Sequence, residues 1–254
     1  MTFTDKETYL SSHDFTVTGD LTYSRVFPNT NWQALYVPFS MNYDKWKQSF
    51  DVAAISNFHE YTDENGTTVK TELEVRFITG GTLKPNHPYL IRAKEGKDTP
   101  QTIALGAGCK IYASQENSID CSSVERLYTF TGTYAPIDGL ATKEYYFMSG
   151  GKLLRSNSDT NVLAPQRWYL TMTLRGTQLK DESIHSKPAA FNIKLTGSED
   201  LTGSENPTGI KAIGTYSTPL PTNDTNATYD LGGMRCSKGH KGIVINNGRK
   251  YLVK

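Results

Sequence analysis

The chain alternates. Val69, Thr71, Leu73, Val75 and Phe77 fall on one side of an extended backbone, and Lys70, Glu72, Glu74 and Arg76 on the other. A two-residue period predicts a strand with one face in a core and one in water. Asp63-Glu64-Asn65-Gly66 comes just before it. Asn-Gly supplies the two positive-φ residues of a tight hairpin turn, so a preceding strand over 52–61 is expected. The pattern recurs. Trp168, Leu170, Met172 and Leu174 alternate with Tyr169, Thr171 and Thr173, and Phe191, Ile193 and Leu195 with Asn192 and Lys194. Tyr128 and Phe130 lead into Gly132 and Tyr134, and Ser149-Gly150-Gly151-Lys152 reads as a turn between 145–148 and 153–155. One stretch has helical spacing: Tyr43, Trp46 and Phe50 fall at i, i+3 and i+7 after Asn42, a good N-cap. It predicts a helix of about two turns.

Short strands about ten residues apart with almost no helix define the fold class. It is all-β: a mostly antiparallel, jelly-roll-like β-sandwich over residues 1–196, with one short helix. Residues 197–209, GSEDLTGSENPTG, contain Leu201 as their sole large apolar side chain. Such a segment buries too little surface to offset its ordering entropy, and it reads as a linker or long loop. A second weak stretch, STPLPTNDTNAT, covers 217–228. Residues 210–254 are expected to form a small β tail.

Composition narrows the function classes. The 254 residues carry 27 basic and 26 acidic side chains, so no electrostatic footprint for nucleic acid or an anionic membrane exists. No apolar run approaches the roughly 18 residues that span a bilayer. Fifteen tyrosines and frequent threonines suit pleated surfaces. Cys109, Cys121 and Cys236 form no CxxC pair, which argues against zinc. They read as small buried hydrophobes, with a Cys109–Cys121 bridge as the alternative in an oxidising compartment. The front, MTFTDKETYLSSHDF, lacks a basic start and an apolar core. It is not a secretory signal, so the chain is expected to be either cytosolic or a form whose leader has been removed.

Candidate chemistry is sparse. His59-Glu60-Tyr61-Thr62-Asp63 has an aspartate where a zinc protease needs its second histidine, and a turn follows at once. Gly106-Ala107-Gly108-Cys109-Lys110 lacks the spacing and the helix of a phosphate cradle. No GxSxG elbow occurs, and the five histidines are scattered singly. No catalytic residue, metal site or cofactor is expected. Aromatic side chains can stack on the C–H faces of sugars. Trp32, Trp46 and Trp168 are expected in the core. Tyr145 and Tyr146 are adjacent, so on a strand they face opposite ways, and one of them reaches solvent. These two are the candidate ligand-binding residues.

Two segments resemble known families. Tyr229-Asp230-Leu231-Gly232-Gly233-Met234-Arg235-Cys236, Lys241-Gly242-Ile243-Val244-Ile245 and Gly248-Arg249-Lys250 through Lys254 resemble the carboxy-terminal sorting tail of secreted Bacteroidetes proteins, a type IX-like signal. Met234, Cys236 and Val244 depart from its usual basic, valine and aromatic residues. The positions that carry the resemblance are Tyr229, Leu231, Gly233, Gly242, Gly248 and Lys254. Asn31-Trp32-Gln33-Ala34-Leu35-Tyr36-Val37-Pro38-Phe39 and Leu83-Lys84-Pro85-Asn86-His87-Pro88-Tyr89-Leu90-Ile91 resemble strands of surface modules found after leucine-rich repeats in adhesin-like proteins of the same bacteria. Phe130-Thr131-Gly132-Thr133-Tyr134 and Gln166-Arg167-Trp168-Tyr169-Leu170 fit two later landmarks.

The resemblance implies a non-enzymatic, secreted or outer-membrane cell-surface module acting in cell adhesion. Its implied partners are host or dietary glycans, host surface proteins, and the export machinery through the tail. A structural or export spacer without a ligand is the alternative. A carbohydrate-active hydrolase is a third reading, which would require two carboxylates facing across a cleft.

Overall fold

The structure is a computed structural model. It describes residues 1–62, 64, 68–122, 126–174, 188–202, 229–230, 242–246 and 249–253. The chain divides into two compact units, Met1–Pro207 and Thr208–Lys254.

The first unit is built from sixteen strands. They are β1 (Thr2–Thr4), β2 (Phe15–Thr16), β3 (Leu21–Phe27), β4 (Gln33–Leu35), β5 (Met41–Asn42), β6 (Phe50–Thr62), β7 (Thr68–Leu83) and β8 (Tyr89–Ala93). Then come β9 (Lys97–Gly106), β10 (Lys110–Ile111), β11 (Ser118–Ser122), β12 (Arg126–Thr133), β13 (Tyr146–Ser149), β14 (Lys152–Arg155), β15 (Arg167–Leu174) and β16 (Ala190–Leu201). The fold is all-β and sandwich-like, as the alternation implies. One long sheet runs β11-β12-β15-β13-β14-β16-β7-β6-β8-β4, and β5 joins it on β7. A smaller sheet, β1-β3-β9, packs beside it.

Two cores share a layer. In the first, Leu21, Tyr23 and Phe27 from β3 and Ile103 from β9 meet Leu35, Phe39, Val52, Tyr89 and Ile91. In the second, Ala34, Phe58, Leu73 and Leu90 meet Tyr128, Phe130, Trp168 and Phe191. The long sheet therefore doubles back on itself, and Phe58 of β6 stacks on Tyr128 of β12 with centroids 3.9 Å apart. β4, β6 and β8 feed both cores from alternate positions. On β8, Tyr89, Ile91 and Ala93 enter the first core and Leu90 the second. The strand is apolar on both faces, except at Arg92, because both faces are covered.

The strand over 52–61 is observed as β6, paired antiparallel with β7 from Ala53↔Phe77 to Thr62↔Thr68. Asn65 and Gly66 lie outside the described residues. Gly150 and Gly151 connect β13 to β14 with φ of 57° and 78°, the left-handed pair that a two-residue hairpin requires. Most pairings are antiparallel, but β16 runs parallel to β7 and β1 parallel to β3.

Two expectations need correction. The helix is one 3-10 turn, Tyr43–Lys45. Asn42 does cap it, its side chain accepting from the Asp44 N–H, but Trp46 leaves the helical region at φ −137°. The spacing of Tyr43, Trp46 and Phe50 is real, since all three enter the first core. It reflects a string of turns, because Phe50 already begins β6. The segment 197–209 was expected to be linker or loop, yet β16 continues through Leu201; residues 203–209 lie outside the described residues. Backbone pairing with β7 from Gly197↔Arg76 to Leu201↔Gly81 holds it, so polar composition did not prevent a strand.

Cys109 is half-buried beside the first core and Cys121 lies in the second, both as free thiols. Burial, reinforced by Asp120, pushes the Cys121 thiol up to about 12. Cys236 lies outside the described residues.

In the second unit, β17 (Tyr229–Asp230), β18 (Gly242–Asn246) and β19 (Arg249–Val253) form a three-stranded antiparallel sheet. Tyr229 opens β17 and Gly242 opens β18. Leu231, Gly233, Gly248 and Lys254 lie outside the described residues. No helix among the described residues is long and apolar enough to cross a membrane.

Candidate functional site

The inward row of β3 contains a contradiction. Leu21, Tyr23, Arg25 and Phe27 all point into the protein, and Arg25 is 1% exposed. A buried guanidinium is tolerated only where partners replace its water. Here they come from two segments, the residue after β1 and strand β4. β1 pairs with β3 so that Thr4 lies beside Ser24, and the Asp5 N–H then donates to the Ser24 carbonyl at 2.8 Å. That sets the Asp5 carboxylate 3.7 Å from Arg25 Nε. Arg25 Nη1 donates to the Ala34 carbonyl at 2.9 Å and Nη2 to Gln33 Oε1 at 2.7 Å, both on β4. Arg167, at the start of β15, donates to both Asp5 oxygens at 2.6 and 2.7 Å. Tyr23 Oη donates to Asp5 at 3.1 Å.

The cluster holds two guanidiniums and one carboxylate. Burial opposes ionisation of Asp5, but the Arg25 and Arg167 charges outweigh it and hold the carboxyl below its ordinary value. Burial, together with the Arg167 charge, pulls Arg25 below the usual guanidinium range. At Arg167 burial acts the same way, but the hydrogen-bonded Asp5 overcomes it and raises the value. Arg25 Nε has no hydrogen-bond partner.

This cluster forms part of the wall of a concavity of about 410 Å³. Its other walls come from the β3–β4 connection, which contributes Asn29, Asn31 and Trp32, and from Ser149 and Gly150 of the β13–β14 turn. Lys6 lines it too, exposed and at φ 67°. Three cationic side chains and one carboxylate therefore line the space. A second, more open concavity of about 530 Å³ is lined by Trp32, Glu72, Phe77, Arg92, Lys152 and Leu195, among others. Trp32 belongs to both, and Gly150 and Gly151 each line one. The indole is half-buried, with the Arg92 guanidinium 4.6 Å from its centroid and the Phe77 ring at 5.7 Å. These neighbours hold the ring in place while part of it stays open.

The structure separates the two predicted tyrosines. Tyr146 is fully buried in the second core and donates to the Pro188 carbonyl at 2.8 Å, so it is closed to a ligand. Its inward parity on β13 explains the correction. Tyr145 is half-buried and stacks on Tyr169 with centroids 4.2 Å apart and planes at 12°. That pair lies apart from the residues lining either concavity. Trp46 and Trp168 are core residues, as expected, at 7% and 0% exposure. Trp32, also expected in the core, is the tryptophan that reaches solvent. His59 approaches Glu74 at 3.8 Å, and the described residues contain no cluster able to hold a metal.

Sequence reasoning missed Asp5, Arg25 and Arg167. Arg25 carried a signal, being a charge in an otherwise apolar alternating row. Asp5 and Arg167 did not, since 162 residues separate them. Comparisons with known families, with curated proteins and with solved structures find no match.

Proposed function

We propose that the chain is a non-enzymatic module of a secreted or cell-surface protein and acts in adhesion by taking a glycan in the Trp32 cleft. The observation that carries this reading is the placement of Trp32. A fixed, partly open indole lies between two concavities, with the Asn29, Asn31 and Gln33 amides beside it. A pyranose presents an apolar C–H face ringed by hydroxyls, and this surface offers the complement of both. Arg25 donates to Gln33 Oε1. The Gln33 NH2 is therefore the end of that amide able to donate to a ligand. The single carboxylate of the first concavity, Asp5, is held by two arginines, which favours binding over hydrolysis. The resemblance of the last residues to a sorting tail supports export, with the export machinery as a second partner.

Binding to an array of host and plant oligosaccharides tests the reading. Wild-type protein should bind saturably. Trp32→Ala should weaken binding about tenfold or more, the equivalent of about 1.4 kcal/mol. Tyr145→Ala should leave it unchanged. Loss in Tyr145→Ala instead would move the site to the Tyr145–Tyr169 pair. No binding to any member would replace this reading with that of a spacer.

A further inference from the structure

The Trp32 cleft carries more positive charge than a neutral sugar needs. In the first concavity Lys6, Arg25 and Arg167 line the space with one carboxylate, Asp5, and no other acidic side chain lines that concavity among the described residues; Glu72 lines the second. Asp5 balances one of the two arginines and leaves the other in excess. That excess is not a solvated surface charge. Arg25 is 1% exposed, its guanidinium hydrogen-bonds only the neutral acceptors on Ala34 and Gln33, and its Nε–H makes no hydrogen bond, lying 3.7 Å from the Asp5 carboxylate that Arg167 already holds. Two buried cations that share one carboxylate remain one negative charge short, and the lowest-cost completion is an anion brought in from outside. A guanidinium meets a planar carboxylate with two parallel N–H donors, the geometry Arg167 already shows toward Asp5.

We infer that the ligand of this cleft is an acidic sugar, one whose ring carries a carboxylate beside the face that meets Trp32. This rests on the reading of the Trp32 cleft as a glycan site. The carboxylate approaches the arginine wall while the sugar ring lies against the indole. Lys6 draws the anion in from the rim. Two sources share this chemistry: uronic acids of plant polymers and terminal sialic acids of host glycans.

The test uses the full chain and matched probes. Oligogalacturonate is compared with its methyl ester, which has the same ring without the charge, and 3′-sialyllactose is compared with lactose. At least one acid should bind ten times more tightly than its neutral partner. Rising salt should erode that advantage, because an ionic contact at a cleft mouth is screened. Lys6→Gln, an exposed change that leaves the buried cluster in place, should weaken the acid several-fold more than it weakens the neutral probe. Arg167→Gln should abolish the preference, provided its circular dichroism matches wild type. The responding pair identifies plant or host as the source. Equal binding of acid and neutral probes, lost in Trp32→Ala, would overturn the acidic inference and leave the glycan site standing. No binding of any probe would remove both.

Discussion

At the scale of single residues, burial decides what each polar group does. His87 sits between β7 and β8, largely enclosed, with the Tyr89 ring 4.7 Å away. Burial, assisted by the Lys84 charge, lowers its pKa to about 4. An unfolded histidine titrates near 6.5. The neutral ring is therefore favoured in the native state, and the stability linked to it is fully present above about pH 6.5. As pH falls from there toward 4, the unfolded chain takes a proton that the folded chain refuses. Denaturant midpoints should fall across that window by the equivalent of about 2–3 kcal/mol, before most carboxylates titrate. His87→Gln should flatten the slope between pH 6.5 and 4.5. An unchanged slope in that variant would show that the ring takes up its proton without unfolding.

At the scale of elements, alternation was legible and partner choice was not. β7 declared itself by period, β6 by the Asn-Gly signal that follows it, and the Gly150–Gly151 turn by its residues. β9 did not, because Lys97–Gly106 is an exposed edge with a proline inside and little apolar rhythm. Nor could any local pattern announce that β16 pairs parallel to β7, since a parallel partner is selected by long-range packing. The site suffered the same limit. Trp32 and Arg25 were visible as residue types, but their meeting with Asp5 and Arg167 depends on how β1 and β15 are laid down. Gly132 on β12 is a case where the sequence pattern has a steric cause. A Cβ at Gly132 would lie 2.0 Å from the Tyr36 ring. That ring cannot retreat. It is fully buried, its centroid lies 4.9 Å from that of Tyr134, its hydroxyl donates to the Gln115 carbonyl, and it accepts from the Asn117 N–H at 2.9 Å. Gly132→Ala should cost about 3 kcal/mol or more. Added to Tyr36→Ala, the same change should cost far less, because the clash is gone. Equal costs in both backgrounds, measured by urea denaturation, would place the strain elsewhere.

At the scale of the whole molecule, the shared layer determines how the first unit comes apart. A chain of this length can unfold in stages when its cores are separable. Here they are not built to be. β4, β6 and β8 send alternate side chains to opposite cores, so neither core can melt without uncovering one face of the same strands. Phe39 lies in the first core and Phe130 in the second, both fully buried. Phe39→Ala and Phe130→Ala should each cost about 3–5 kcal/mol. Both should shift one common transition. Two native probes can report this locally, because Trp46 belongs to the first core and Trp168 to the second. All three tryptophans precede residue 208, so the second unit contributes no such signal. With fluorinated tryptophan, the folded resonances of Trp46 and Trp168 should vanish at one denaturant concentration in wild type. In either variant they should move together to a lower one. If Phe130→Ala released Trp168 and left Trp46 folded, the middle layer would have to remain stable with one face wet, and the two cores would be independent units joined by a common wall.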